Sequence, residues 1–241
     1  MNARVKQLLS SAVIVCAVCL MFSSTASATV IGVLHIDSGV GSATVGLNFI
    51  DWLNPPGPPN GAFVVGGNTN LTSAVGGPAL GSTGFLLDLT TPPPIVNFMT
   101  FTSVPGLAFD LNFIGAGSSN TNCAAATNVG DSCSIFVGSP VILTRTAVGT
   151  SVALAFGGIA RDGTAPANWT GTFTTQLTGK TPAQIQAAFG CVAGQGGGAC
   201  TVPSHTENST YSADFIVPEP TSLSLLGVGL LSLALYRRKQ V

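Results

Sequence analysis

Residues 29–217 of this 241-residue chain predict an all-β domain, an antiparallel β-sandwich or jelly roll with one short helix, and three observations carry that expectation. Apolar side chains recur at every second position in run after run, the period at which a half-buried strand turns one face to a core. Clusters of glycine and proline cut these runs into short pieces, as turns between strands do. Charge is scarce: 46% of residues are hydrophobic and only 7% charged, a balance that argues against disorder and leaves Thr, Ser and Asn to make the surface polar. A signal helix before this domain and a transmembrane helix after it are expected, giving three parts: 1–28, 29–217 and 218–241.

The first part has the layout of a secretory signal peptide. Arg4 and Lys6 form the charged start, residues 8–22 the apolar core, and Ala26-Ser27-Ala28 the small-residue cleavage site before Thr29. Signal peptidase reads Ala26 and Ala28, so the mature chain is expected to begin at Thr29. Cys16-Ala-Val-Cys19 has redox or metal spacing but lies in the segment to be discarded. Val15 and Val18 stand where lipidation of either cysteine would need a small residue.

Strands are predicted at 30–36, 43–50, 84–89, 95–102 and 141–146. In the next clear run Leu107, Phe109, Leu111 and Phe113 point one way, with Ala108, Asp110 and Asn112 opposite. Val152, Leu154 and Phe156 repeat the pattern. Trp169, Phe173 and Leu177 face inward against Thr170, Thr172, Thr174 and Gln176, and Tyr211, Ala213 and Phe215 end the series. Turn chemistry at 54–61, 76–78, 91–94 and 162–163 separates the runs. The single helix is announced by Thr181-Pro182-Ala183-Gln184, a capping box with proline at the first helical position, and ends at Gly190. Ile185, Ala188 and Phe189 are its predicted packing face.

Four cysteines survive maturation, Cys123, Cys133, Cys191 and Cys200. Outside the cytoplasm an even count reads as disulfides, and four cysteines allow three connectivities. The short spacings favour Cys123 with Cys133 and Cys191 with Cys200, each closing a loop rich in Gly, Ala, Asn and Ser and each contributing roughly 2–3 kcal/mol. A zinc site is the competing reading, without C-x-x-C spacing or a neighbouring histidine to support it.

Between the two ends only Arg145, Arg161 and Lys180 are basic, against Asp37, Asp51, Asp88, Asp110, Asp131, Asp162, Asp214 and Glu207. That acidic balance supplies no footprint for nucleic acid. Catalytic patterns are missing too: no G-x-S-x-G elbow or H-E-x-x-H occurs, His35 and His205 lie far apart, and one glutamate with scattered aspartates offers no evident hydrolytic pair. Asp37, Asp131 and Asp162 sit in turn-like acidic positions that suit calcium, yet no D-x-D-x-D cluster accompanies them. No cofactor and no catalytic residue is expected. Of the tryptophans, Trp169 reads as core; Trp52, beside a proline-rich loop, is the candidate for a sugar-stacking platform, with a core role the stronger alternative.

The last part begins Val217-Pro218-Glu219-Pro220, continues through an uncharged leucine-rich run at 221–236, and closes on the basic stop Arg237-Arg238-Lys239. The apolar run is short of the roughly 20 residues a bilayer span needs, and interfacial snorkelling of Tyr236 and the arginines is what would stretch it. The positive-inside rule keeps the basic stop cytoplasmic and the domain outside. This order and spacing resembles the PEP-CTERM sorting signal of Gram-negative bacteria. The resemblance implies an exosortase-type processing partner that reads Pro-Glu-Pro, a membrane-anchored stage in transit, and a final place at the cell surface or in an exopolysaccharide-containing matrix. The expected function is therefore a non-catalytic exported structural protein, with an exopolysaccharide-binding module as the alternative and a secreted hydrolase further behind.

Overall fold

The structure is a computed structural model, and it describes residues 30–39, 41–53 and 60–219. Thirteen strands and one helix are assigned within them. In chain order the strands are β1 (Gly32–Asp37), β2 (Ser42–Val45), β3 (Ile50–Leu53), β4 (Asn60–Val65), β5 (Thr83–Leu87), β6 (Ile95–Phe101), β7 (Ala108–Ile114), β8 (Ser132–Ser134), β9 (Ile142–Arg145), β10 (Gly149–Arg161), β11 (Ala167–Thr178), β12 (Glu207–Ser209) and β13 (Tyr211–Val217). The helix, α1 (Pro182–Ala188), precedes β12.

The expected sandwich is corrected to a closed barrel. Around it the order is β1-β4-β5-β6-β7-β10-β11-β13, and β13 returns to pair with β1, so eight antiparallel strands form an up-and-down ring without an edge. Alternation cannot separate the two architectures, since each strand of either has one inward face. Closure comes from two features: β10 and β11 pair along all of β11, and β13 bridges β11 to the distant β1. On its other edge β10 carries β9 along its first part and β7 along its second, which leaves β9 and β8 as a branch from the ring.

Phe109 and Phe156 each meet both Trp169 and Phe215 in the interior, and Trp169 meets Phe215, with ring centroids 5.4–6.3 Å apart and mostly edge-to-face. Trp52, Phe173 and Tyr211 make a second set at 4.8–5.7 Å. All seven are buried. An eight-stranded barrel has an interior just wide enough to be filled by side chains or to hold one small ligand, and this one is filled.

Three local departures from the sequence reading have physical causes. The run at 43–50 is two strands, broken where the Gly46 amide donates to the Phe49 carbonyl, and β2, β3 and β12 form a small separate sheet. β4 went unpredicted because it opens on Asn60-Gly61, a turn signal; Gly61 is needed there because a side chain would strike the backbone and Cβ of Trp52. Phe113 was expected inside with Phe109 and Leu111, yet is 53% exposed. The register against β10 slips between Gly157 and Gly158, so Asn112 becomes an extra residue and Phe113 turns outward over Gly157.

The helix forms as its capping box predicts: the Gln184 amide donates to Thr181 Oγ1 at 3.2 Å and the Thr181 amide to Gln184 Oε1 at 2.8 Å. Ile185 and Phe189 are buried, Ala188 only partly, and the helix packs on β9 and the 123–125 turn. The predicted signal helix and the predicted transmembrane helix at 221–236 lie outside the described residues. Among the described residues no helix is long and apolar enough to cross a membrane, so the described structure gives no support to the expected membrane partner through a C-terminal helix.

The ring has two unlike ends. Gly32 pairs with Val217, so the barrel's first strand begins and its last strand finishes at the same end. The insertions carrying β2-β3, the two cystines, α1 and β12 all leave and rejoin the ring at the opposite end.

Candidate functional site

At the first end, Val217 is buried at 2% exposure as the last residue of β13, and Pro218 and Glu219 follow it exposed. The sorting residues thus issue directly from the strand that closes the barrel. Pro220, the basic stop Arg237, Arg238 and Lys239, and the cleavage residues Ala26, Ala28 and Thr29 lie outside the described residues.

Both expected disulfides are formed, Cys123–Cys133 and Cys191–Cys200, with Cα atoms 5.2 and 4.3 Å apart. Within each loop the half-cystines are buried, while Ala126 alone of the intervening residues is. The two loops dock on one another. Gln186 of α1 donates to the carbonyls of Thr121 and Ile135 at 2.8 Å each, the Gly194 amide donates to Thr121 Oγ1 at 2.9 Å, and the Val137 amide to the Gln195 carbonyl at 2.7 Å.

The structure gives each histidine carboxylate neighbours of its own. His35 on β1 faces Asp214 across the β13 pairing, with Nδ1 2.5 Å from Oδ1, and its Nε2 lies 3.5 Å from Asp37. The hydrogen bond to Asp214 raises the imidazole above its ordinary value of 6.5, against a smaller opposing effect of burial. His205 Nε2 lies 2.8 Å from Glu207 Oε1, its ring edge-on to Phe189.

Glu207, weighed in the sequence only as the lone glutamate, gains two partners that its spacing does not announce. It is 5% exposed on β12, and Lys180 Nζ donates to both its oxygens, at 2.7 and 2.5 Å. Burial pushes its carboxyl up, but the hydrogen bonds and charges of Lys180 and His205 outweigh that and hold it below the ordinary 4.5. The available signal was only His205-x-Glu207, two positions apart on a strand-like stretch; Lys180 joins them through the fold. A polar depression opens beside this trio, lined by the end of β11 and by β12.

The acidic turns proposed for calcium are engaged by the protein itself. Asp131 accepts from Asn128, and Asp162 accepts from Ala74 and Thr164, tying the 66–82 loop to the β10–β11 turn. Among the described residues no group of three or more His, Cys, Asp or Glu is arranged to hold a metal. Asp110 forms a two-pronged pair with Arg161 at 2.6 and 2.7 Å, which holds its carboxyl below the ordinary 3.8. Trp52 is not a platform. It is 2% exposed, and its indole N–H donates to the Leu87 carbonyl at 3.0 Å. Trp169 is core, as its alternation implies.

These observations define an all-β protein built on a closed eight-stranded barrel, whose last strand ends where the sorting residues begin. Residues 217–239 match the PEP-CTERM protein-sorting motif, a mark of export and cell-surface sorting, and the match leaves the barrel unassigned. No characterised protein and no solved structure matches the chain.

Proposed function

We propose that the protein is a non-catalytic structural component of the cell surface or extracellular matrix, delivered through its PEP-CTERM motif and processed by an exosortase-type enzyme. The observation that carries this reading is the junction at Val217: the sorting sequence begins in the closing strand, so the barrel itself is what is sorted. Further support comes from the barrel interior, occupied by its own aromatic side chains, and from two cystines, which suit an oxidising compartment. The lack of an exposed tryptophan at position 52 removes the sequence-based ground for a stacking carbohydrate module.

Intact-mass measurement of the protein recovered from its host's envelope and medium tests the reading. Masses that begin at Thr29 and end between Pro218 and Pro220 are expected. Recovery only from cytoplasm, with residues 1–28 still attached, would sink it.

A further inference from the structure

At the barrel end opposite the sorting junction, the polar depression has a volume of about 330 Å³, near the lower bound of ligand clefts, which run about 300–1,000 Å³. Gln176, Thr178, Lys180, Glu207, Asn208 and Ser209 supply its polar lining. Several of these groups are held in place by partners outside the depression. Thr44 Oγ1 donates to Asn208 Oδ1 at 2.7 Å, which leaves the Asn208 amide NH₂ as a donor. Gln176 Nε2 donates to Ser151 Oγ at 2.9 Å, which leaves Gln176 Oε1 as an acceptor. Ser209 Oγ donates to the Gln176 carbonyl at 2.6 Å and keeps its lone pairs. Two of the three Lys180 ammonium hydrogens go to Glu207, so the third is a donor of fixed direction, and the Lys180 carbonyl is anchored by Thr150 Oγ1 at 2.7 Å.

The charges decide which ligand fits. Lys180 and Glu207 cancel, and each repels what the other attracts: an incoming carboxylate or phosphate meets Glu207, and a cation meets Lys180. A neutral hydroxyl does neither, and each hydroxyl both donates and accepts, matching the interleaved donors and acceptors of the lining. We propose that this depression binds a neutral polyhydroxy ligand, one ring or chain end of an uncharged saccharide, at the face directed away from the sorting junction. The proposal rests on the surface or matrix reading for its biological setting, but binding is measured independently of where the protein is delivered.

The test is titration of the full chain, by calorimetry or ligand-observed magnetic resonance, with glucose, galactose, mannose and dextran, and with alginate as the acidic comparison. Saturable binding of at least one neutral probe is expected, at least tenfold tighter than alginate. Binding by a free sugar assigns the site to a single ring, and binding by dextran alone assigns it to a chain; either supports the proposal. The double variant Gln176→Ala, Asn208→Ala changes two exposed side chains and is expected to weaken binding at least tenfold with its unfolding midpoint unchanged. Folded protein that binds none of the neutral probes, that prefers alginate, or that binds equally well as the double variant would overturn the proposal. Failure here with correct export and trimming would leave the structural reading standing; mislocalised protein that still binds neutral sugar would do the reverse.

Discussion

The barrel and the cystine-bearing lobe at its far end are held together by different forces. In the barrel, rings from β7, β10, β11 and β13 interlock, and nearly every inward position is apolar and buried. The lobe has a much smaller core, chiefly Ile135, Phe136, Ile185 and Phe189, and the loops 123–133 and 191–200 add little to it beyond their sulfurs. Covalent staples and hydrogen bonds such as those of Gln186 replace burial there. Loops this short of apolar surface cannot offset their ordering entropy by packing alone, whereas a filled barrel can. One polypeptide is thus expected to carry a scaffold indifferent to redox conditions and an attachment that depends on an oxidising compartment.

Truncation of the barrel interior should have the largest effect. Phe215→Ala removes the ring that touches Phe109, Phe156 and Trp169 and is expected to cost about 3–5 kcal/mol in urea unfolding. A loss below about 1 kcal/mol would mean the rings do not act as the barrel's core. Removing one staple, by Cys123→Ser with Cys133→Ser, should cost roughly 2–3 kcal/mol in the lobe, with the folded-state fluorescence of the two buried tryptophans, Trp52 and Trp169, unchanged. An altered tryptophan signal would erase the distinction between the two regions.

Smaller effects sharpen the comparison through charge. Glu207 and Asp110 have lowered carboxyls, so their stabilisation is present above the ordinary values of 4.5 and 3.8 and is lost as pH falls through their folded values. His35 is raised, so its contribution is complete below 6.5 and is lost as pH rises through its folded value. Stability should therefore be greatest between about pH 4.5 and 6.5. Glu207→Gln should lower stability by about 1–2 kcal/mol at pH 6 and flatten the acid limb, with the half-exposed Lys180 limiting the effect. A profile unchanged by the substitution would show the trio to be without energetic weight. Smallest of all, Thr181→Ala should cost about 1 kcal/mol, read as increased amide exchange in α1.

Strand faces were legible from sequence because a period of two is dictated by the pleat, and Trp169, Phe173 and Leu177 lie inside as that period requires. The cystine pairing was legible too, since short loops favour local closure. Ring closure was not, because it depends on β13 meeting β1 across almost the whole domain. The bulge that expels Phe113 is a matter of register, invisible until β10 is placed beside β7. The grouping of Lys180, His205 and Glu207 was not legible for a related reason: Lys180 is 27 positions before Glu207, and only the return of the chain through α1 and the second cystine loop brings them together.

Amide exchange of the full chain, followed by mass spectrometry with and without reductant, tests most directly whether barrel and lobe are energetically separate. Reduction is predicted to abolish protection across residues 118–141 and 181–205 while β10, β11 and β13 keep theirs. Uniform loss of protection around the barrel on reduction would contradict the account.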